Sequence, residues 1–138
     1  MTLFEACAYV GRENQTGTRA NILVIEDHVD TGIWLGRALQ DQDFAVRWER
    51  RPEHALLALG EDPRPDAVLL DLLMPGLHGS FIYERIRENQ ALTDTPILVV
   101  TAMADEDLPV WNDPRVRFLT KPVSRQAILE SLDTLLQA

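Results

Sequence analysis

The stretch Val68-Leu69-Leu70-Asp71-Leu72-Leu73-Met74-Pro75-Gly76-Leu77-His78-Gly79 decides the fold. An apolar run of strand type ends on one carboxylate, and a Pro-Gly break follows at once. A buried strand that stops at an aspartate places that carboxylate at the carboxyl edge of a sheet, where open α/β sheets carry ligands and chemistry.

Upstream, Asn21-Ile22-Leu23-Val24-Ile25 is a continuous apolar run closed by Glu26-Asp27-His28. Runs of this kind suit parallel strands covered on both faces. Asp30 or Thr31 is positioned to cap a helix running to about Asp41, with Leu35, Ala38 and Leu39 on its inner face. Phe44 to Trp48 alternates and predicts a shorter edge strand. Pro52 opens a second helix, which runs through Leu59. Downstream, Gly79 to Asn89 reads as a helix and Pro96 to Val100 as another buried strand, ending at Thr101. Val116 to Leu119 is a fifth strand, ending at Thr120-Lys121-Pro122. Ser124 caps a last helix striped by Ile128, Leu132, Leu135 and Leu136.

Strand and helix therefore alternate five times. That pattern predicts a doubly wound α/β domain of the flavodoxin-like class, with five parallel strands in the order 2-1-3-4-5 and helices on both faces. The switch point of that order lies between the first and third strands, where Glu26, Asp27 and Asp71 emerge.

The chain of 138 residues is about one domain, and its net charge of −9 opposes direct binding to nucleic acid. No apolar run reaches the ~18 residues that span a membrane, and no signal-peptide pattern precedes the domain. A lone cysteine, Cys7, fits a reducing, cytoplasmic setting. Leu3, Phe4, Cys7 and Val10 fall at helical spacing, consistent with a short N-terminal helix, and the polar stretch from Arg12 to Arg19 reads as a linker. Residues 1–19 are thus taken as an extension and 20–138 as the domain.

Carboxylates converging on one edge repel each other unless a cation lies between them. Asp27 and Asp71, with Glu26 directly or through water, form an all-oxygen set that suits Mg²⁺ or Mn²⁺ and not zinc. Thr101 and Lys121 add a hydroxyl and an ammonium to the same edge. Together they make a pocket for a tetrahedral oxyanion, with Asp71 as a nucleophile that can form an aspartyl phosphate. Taken singly, each residue has an ordinary explanation as a cap, turn or surface group. Their coincidence at the ends of four apolar strands outweighs those explanations. His28 and His78 read as turn residues, and Trp34, Trp48 and Trp111 as packing.

Over residues 20–138 the chain resembles the receiver domains of two-component response regulators, chemotaxis-regulator-like in form. The matching residues are Val24-Ile25-Glu26-Asp27, Leu70-Asp71-Leu72-Leu73-Met74-Pro75-Gly76 with Gly79, Val99-Val100-Thr101-Ala102 and Leu119-Thr120-Lys121-Pro122. The resemblance implies that Asp71 accepts a phosphoryl group from a sensor histidine kinase or a histidine phosphotransfer protein. It implies Mg²⁺ held by Glu26, Asp27, Asp71 and the Leu73 backbone carbonyl. Lys121 would contact the acceptor and then the phosphoryl group. Thr101 would move toward the phosphoryl group and draw in a switch residue, here Phe118. A signalling module is expected, not an enzyme in the usual sense. A phosphatase-type enzyme or a scaffold that is never phosphorylated is the alternative on this fold. A flavin module is disfavoured because acids, not a phosphate-binding loop, follow the first strand.

Two departures from the pattern matter. The segment from Met103 to Pro114 is short, acidic and carries two prolines, so the usual fourth helix is expected to shrink to a turn or two, or to a loop. A dimer through that helix is then disfavoured. Leu73 and Met103 place apolar side chains beside the expected phosphoryl site, which predicts slow self-dephosphorylation. Nothing resembling a DNA-binding effector follows the last helix. Output is expected through an unidentified partner protein or a homodimer, unless the chain is an excised part of a longer protein.

Overall fold

The computed structural model of the protein describes residues 8–10, 18–76 and 78–137. Its elements are β1 (Ala8–Val10), β2 (Asn21–Ile25), α1 (Val29–Gln40), β3 (Ala45–Glu49), α2 (Pro52–Ala58), β4 (Ala67–Leu70), α3 (Gly79–Glu88), β5 (Ile97–Thr101), a 3₁₀ turn (Asp105–Asp107), β6 (Val116–Thr120) and α4 (Arg125–Gln137). The sheet runs β1-β3-β2-β4-β5-β6. Its last five strands are parallel and stand in the expected order.

Alternation along the parallel strands sorts the core into two layers. Ile22, Val24, Leu69, Leu98 and Val100 face one side and meet Leu35 and Leu39 of α1 with Ile128, Leu132 and Leu135 of α4. Leu23, Ile25, Val68, Leu70, Ile97 and Val99 face the other side and meet Ala55 and Ala58 of α2 with Ile82 and Ile86 of α3. Each strand is covered on both faces, which is why these segments read as unbroken apolar runs.

The structure corrects two expectations. Ala8–Val10 is not helical; it pairs antiparallel with β3 in the register Ala8↔Trp48 and Val10↔Val46. β3 is therefore not the sheet's edge among the described residues. Its outer backbone groups, which would otherwise stand unpaired, are taken up by β1. Leu3, Phe4 and Cys7 of the expected N-terminal helix lie outside the described residues. The second correction is that α1 starts ahead of both proposed caps. Its N-cap is His28, with no side-chain cap bond, and Asp30 sits in the first turn, where its charge favours the helix dipole. Ser124 does cap α4, accepting the Ala127 N–H at 3.0 Å. The shortened fourth helix is the 3₁₀ turn, one turn long.

Candidate functional site

The carboxyl ends of β2, β4, β5 and β6 bring Glu26, Asp27, Asp71, Thr101 and Lys121 to one edge. Asp71 is positioned at both ends of its residue. Its N–H donates to the Ile25 carbonyl at 3.1 Å, which extends the ladder one step past β4. Its Oδ1 accepts the Leu73 N–H at 3.0 Å, and Oδ2 faces the Lys121 ammonium at 3.3 Å. The side chain is 4% exposed. Gly79, the first residue of α3, lies so close behind it that a β-carbon there would stand 2.7 Å from the Asp71 carbonyl oxygen and 2.6 Å from the Leu72 α-carbon. The helix can approach the acceptor only because that position has no side chain.

Lys121 reaches two carboxylates. Its Nζ is 2.8 Å from Glu26 Oε1, closer than it is to Asp71. Burial alone would lower the ammonium's pKa. The hydrogen bond and charge of Glu26, followed by the charge of Asp71, outweigh burial and hold it above the ordinary lysine value. Glu26 is buried, and that burial raises its pKa despite the Lys121 hydrogen bond; the neighbouring Asp71 charge pushes in the same direction. Its second oxygen accepts the His28 N–H at 3.2 Å. Thr101 is fully buried, its Oγ1 accepting the Met103 N–H at 3.3 Å. Its carbonyl takes the Lys121 N–H at 2.7 Å, which ties the lysine to the hydroxyl-bearing residue.

One oxygen in this cluster is unsatisfied. Asp27 Oδ1 is buried and accepts no hydrogen bond among the described residues. Ligand atoms of Glu26, Asp27, His28 and Asp71 all fall within 4.8 Å of one another. An orphaned carboxylate oxygen among converging carboxylates fits a hard divalent cation, which would both satisfy it and offset the like charges.

Sequence reading missed two contributors. His28, read as a turn residue, brings Nδ1 to 3.5 Å from Glu26 Oε2 and 3.6 Å from Asp27 Oδ1. Its place beside the two acids was the available signal. Trp48, read as packing, is buried and also donates its indole N–H to the Glu26 carbonyl at 2.8 Å, fixing the backbone that presents both acids. No local pattern links two residues so far apart in the chain. His78 caps α3, its ring accepting the Ser80 N–H at 3.0 Å.

Phe118 lies on β6 opposite Val99, half-buried in the layer shared with α3. The Trp111 ring packs against it at 5.5 Å between centroids and stacks on Tyr83 of α3 at 3.8 Å, nearly parallel. Asp113 Oδ2 accepts from the Tyr83 hydroxyl at 2.7 Å and from Arg87 Nε at 2.8 Å. Burial would raise the Asp113 pKa, but the Arg87 and Tyr83 hydrogen bonds outweigh it and hold the carboxyl below its ordinary range.

Residues 22–133 match the response regulator receiver domain family. The chain is 30% identical over 119 residues to protein PilH of Pseudomonas aeruginosa, covering 85% of this chain and 98% of PilH. Other relatives are longer proteins, of which the chain spans about half or less. Among solved structures, a response regulator receiver protein from Sinorhizobium medicae superposes with a TM-score of 0.79 at 20% identity, over 90% of this chain and 98% of that one. The receiver domain of sensor histidine kinase PA1611 from Pseudomonas aeruginosa superposes with a TM-score of 0.75 at 24% identity, over 86% and 98%.

Proposed function

The chain belongs to the response regulator receiver family of two-component signalling, and on that premise we propose that Asp71 is its phosphoacceptor and that phosphorylation switches its interactions with other proteins. The observation that carries the reading is the shared lysine: one ammonium within 3.3 Å of a buried aspartate and 2.8 Å of a buried glutamate, at a sheet edge that also presents Thr101. In the transfer, an Asp71 oxygen forms a bond to phosphorus as the P–N bond of a phosphohistidine breaks, and the leaving imidazole nitrogen keeps the bonding pair. The Leu73 N–H and Lys121 hydrogen-bond to the two Asp71 oxygens and hold the carboxylate in one orientation. Lys121 and the Thr101 hydroxyl stand ready to donate to oxygens of the arriving phosphoryl group.

Glu26, Asp27, Asp71 and the Leu73 carbonyl would hold the cation, and the PA1611 receiver carries a magnesium ion in its active-site cleft. When bound, Mg²⁺ or Mn²⁺ supplies charge neutralisation for the carboxylates and a phosphoryl oxygen. The orphaned Asp27 oxygen and the oxygen-rich donor set support that choice. The phosphatase alternative gains nothing from the geometry: the residue two positions after Asp71 is Leu73, half-exposed and without acid or base chemistry. The donor would be a sensor histidine kinase or phosphotransfer protein. No helix among the described residues is long and apolar enough to cross a membrane. We place the protein in the cytoplasm, where such donors present their phosphohistidine.

Intact mass after incubation with acetyl phosphate and Mg²⁺ tests the reading. Wild type is expected to gain about one phosphoryl group, consistent with a single acceptor carboxylate. Asp71→Asn is expected to gain none. No adduct in wild type, or an undiminished adduct in the variant, would overturn the assignment.

A further inference from the structure

The oxygens of the acidic cluster are not all free. Lys121 takes Glu26 Oε1 and Asp71 Oδ2, and the Leu73 N–H takes Asp71 Oδ1. Glu26 Oε2 and the orphaned Asp27 Oδ1 remain on the side of His28, whose Nδ1 stands 3.5 Å from the first and 3.6 Å from the second. Both separations are long for a hydrogen bond from a ring N–H, and the ring leaves Asp27 Oδ1 without a partner. They suit two ligands of one ion: bonds of ~2.1 Å put cis octahedral ligands roughly 3.0 Å apart and trans ligands about 4.2 Å apart. Of the three histidines, His28 is the one whose ring nitrogen joins the carboxylates within 4.8 Å among the described residues. It is also the N-cap of α1, yet its side chain makes no cap bond. The helix therefore makes no claim on the nitrogen that faces the acids.

We propose that His28 is a ligand to the cation at this edge, and that its imidazole tunes the site toward first-row transition ions such as Mn²⁺ and Co²⁺ over Mg²⁺. The inference rests on the cation-site reading and deepens it. Carboxylate and carbonyl oxygens alone suit Mg²⁺ and Mn²⁺, whereas an imidazole nitrogen adds a softer donor that Mg²⁺ gains little from. His28 follows Asp27 directly, so one turn of backbone presents the oxygen and the nitrogen together. Its side chain is 71% exposed, which places the nitrogen donor at the open mouth of the site.

The test uses the full chain with Mn²⁺, Co²⁺ and Mg²⁺ as separate probes. Electron spin-echo spectra of bound Mn²⁺ are expected to show modulation from a ligating nitrogen in wild type and none in His28→Ala. The exposed ring with no cap bond makes this variant safe for the fold. By calorimetry, the preference for Co²⁺ over Mg²⁺ is expected to fall at least tenfold in His28→Ala and in His28→Asn, which offers an oxygen in place of the nitrogen. Loss of even an outer-shell partner typically costs roughly 10–100-fold in metal affinity. Bound Mn²⁺ without nitrogen modulation in wild type would overturn the inference and leave the cation site standing. So would modulation that survives in His28→Ala, or a preference that falls less than tenfold in both variants. Binding of all three ions undiminished by Asp27→Asn would overturn the cation site as well.

Discussion

Replacing Lys121 by Met keeps the apolar stem and removes the one ammonium that two buried carboxylates share. Glu26 and Asp71, with side chains 1% and 4% exposed, would then face each other within 4.8 Å. Two unit charges at that separation repel by roughly 3.5 kcal/mol at an effective dielectric of about 20. Breaking a buried pair by removing one partner typically costs about 3–5 kcal/mol. The expected loss is therefore about 3 kcal/mol at pH 8, read from urea unfolding without divalent cation. Protonation limits the loss, which gives the experiment a second axis. Glu26 already holds its proton more tightly than an ordinary glutamate because of burial and, next, the Asp71 charge. Without Lys121 that tendency strengthens. A carboxyl whose folded pKa is raised contributes stability below its unfolded pKa and loses it as pH rises through the folded value. The variant's deficit should therefore grow with pH across that window, by at most about 1.4 kcal/mol per pH unit. It should be smaller in acid than at pH 8. Excess Mg²⁺ should recover part of it, since a ligand at a hundred times its Kd stabilises by about 2.7 kcal/mol. A deficit that stays constant from pH 5 to pH 8, or one below about 1 kcal/mol at pH 8, would refute the claim that Lys121 compensates a buried acidic pair.

Gly32→Ala would drive a methyl group into the Trp48 ring. We expect a loss of about 1–3 kcal/mol from overpacking, and weaker Mg²⁺ binding by calorimetry because the Trp48–Glu26 tie is displaced. Asp113→Asn should destabilise the protein by about 2 kcal/mol at pH 7, as loss of charged hydrogen bonds does. Because the wild-type carboxyl is held below its ordinary range by Arg87 and Tyr83 against the opposing effect of burial, its contribution is present above the unfolded pKa and vanishes as pH falls through the folded one. Unfolding curves of wild type and variant should thus converge in acid. Leu73 is half-exposed and Met103 half-buried, both beside the acceptor edge. Leu73→Asn with Met103→Glu should speed loss of the phosphoryl group about tenfold by admitting and orienting water, less than the roughly 10²–10⁴-fold that a fully positioned base supplies. A phosphoryl half-life unchanged by both substitutions, followed by mass, would count against apolar shielding.

Local chemistry determined most of the architecture. The runs Ile22 to Ile25, Ala67 to Leu70 and Ile97 to Val100 are apolar without alternation because both faces of each strand are covered. Asp27, Asp71, Thr101 and Lys121 could be placed on one edge because parallel strands all end on the same side. Pro109 and Pro114 forbade a full fourth helix, and a single 3₁₀ turn stands there. What required the folded chain were contacts between residues far apart in sequence, which no periodicity encodes. The pairing of Ala8–Val10 with β3 depends on a strand edge left open by other elements. Lys121 lies 95 residues from Glu26, and only the twist and register of the sheet bring its ammonium nearer to that acid than to Asp71. The Trp48 bond to the Glu26 carbonyl, the Tyr83–Trp111 stack and the tilted Trp111–Phe118 contact likewise depend on side-chain directions set by packing. The sequence therefore specified which groups reach the site, because strand ends are a local property. The tertiary structure decided which of them touch, because contact depends on how separate elements are oriented against one another.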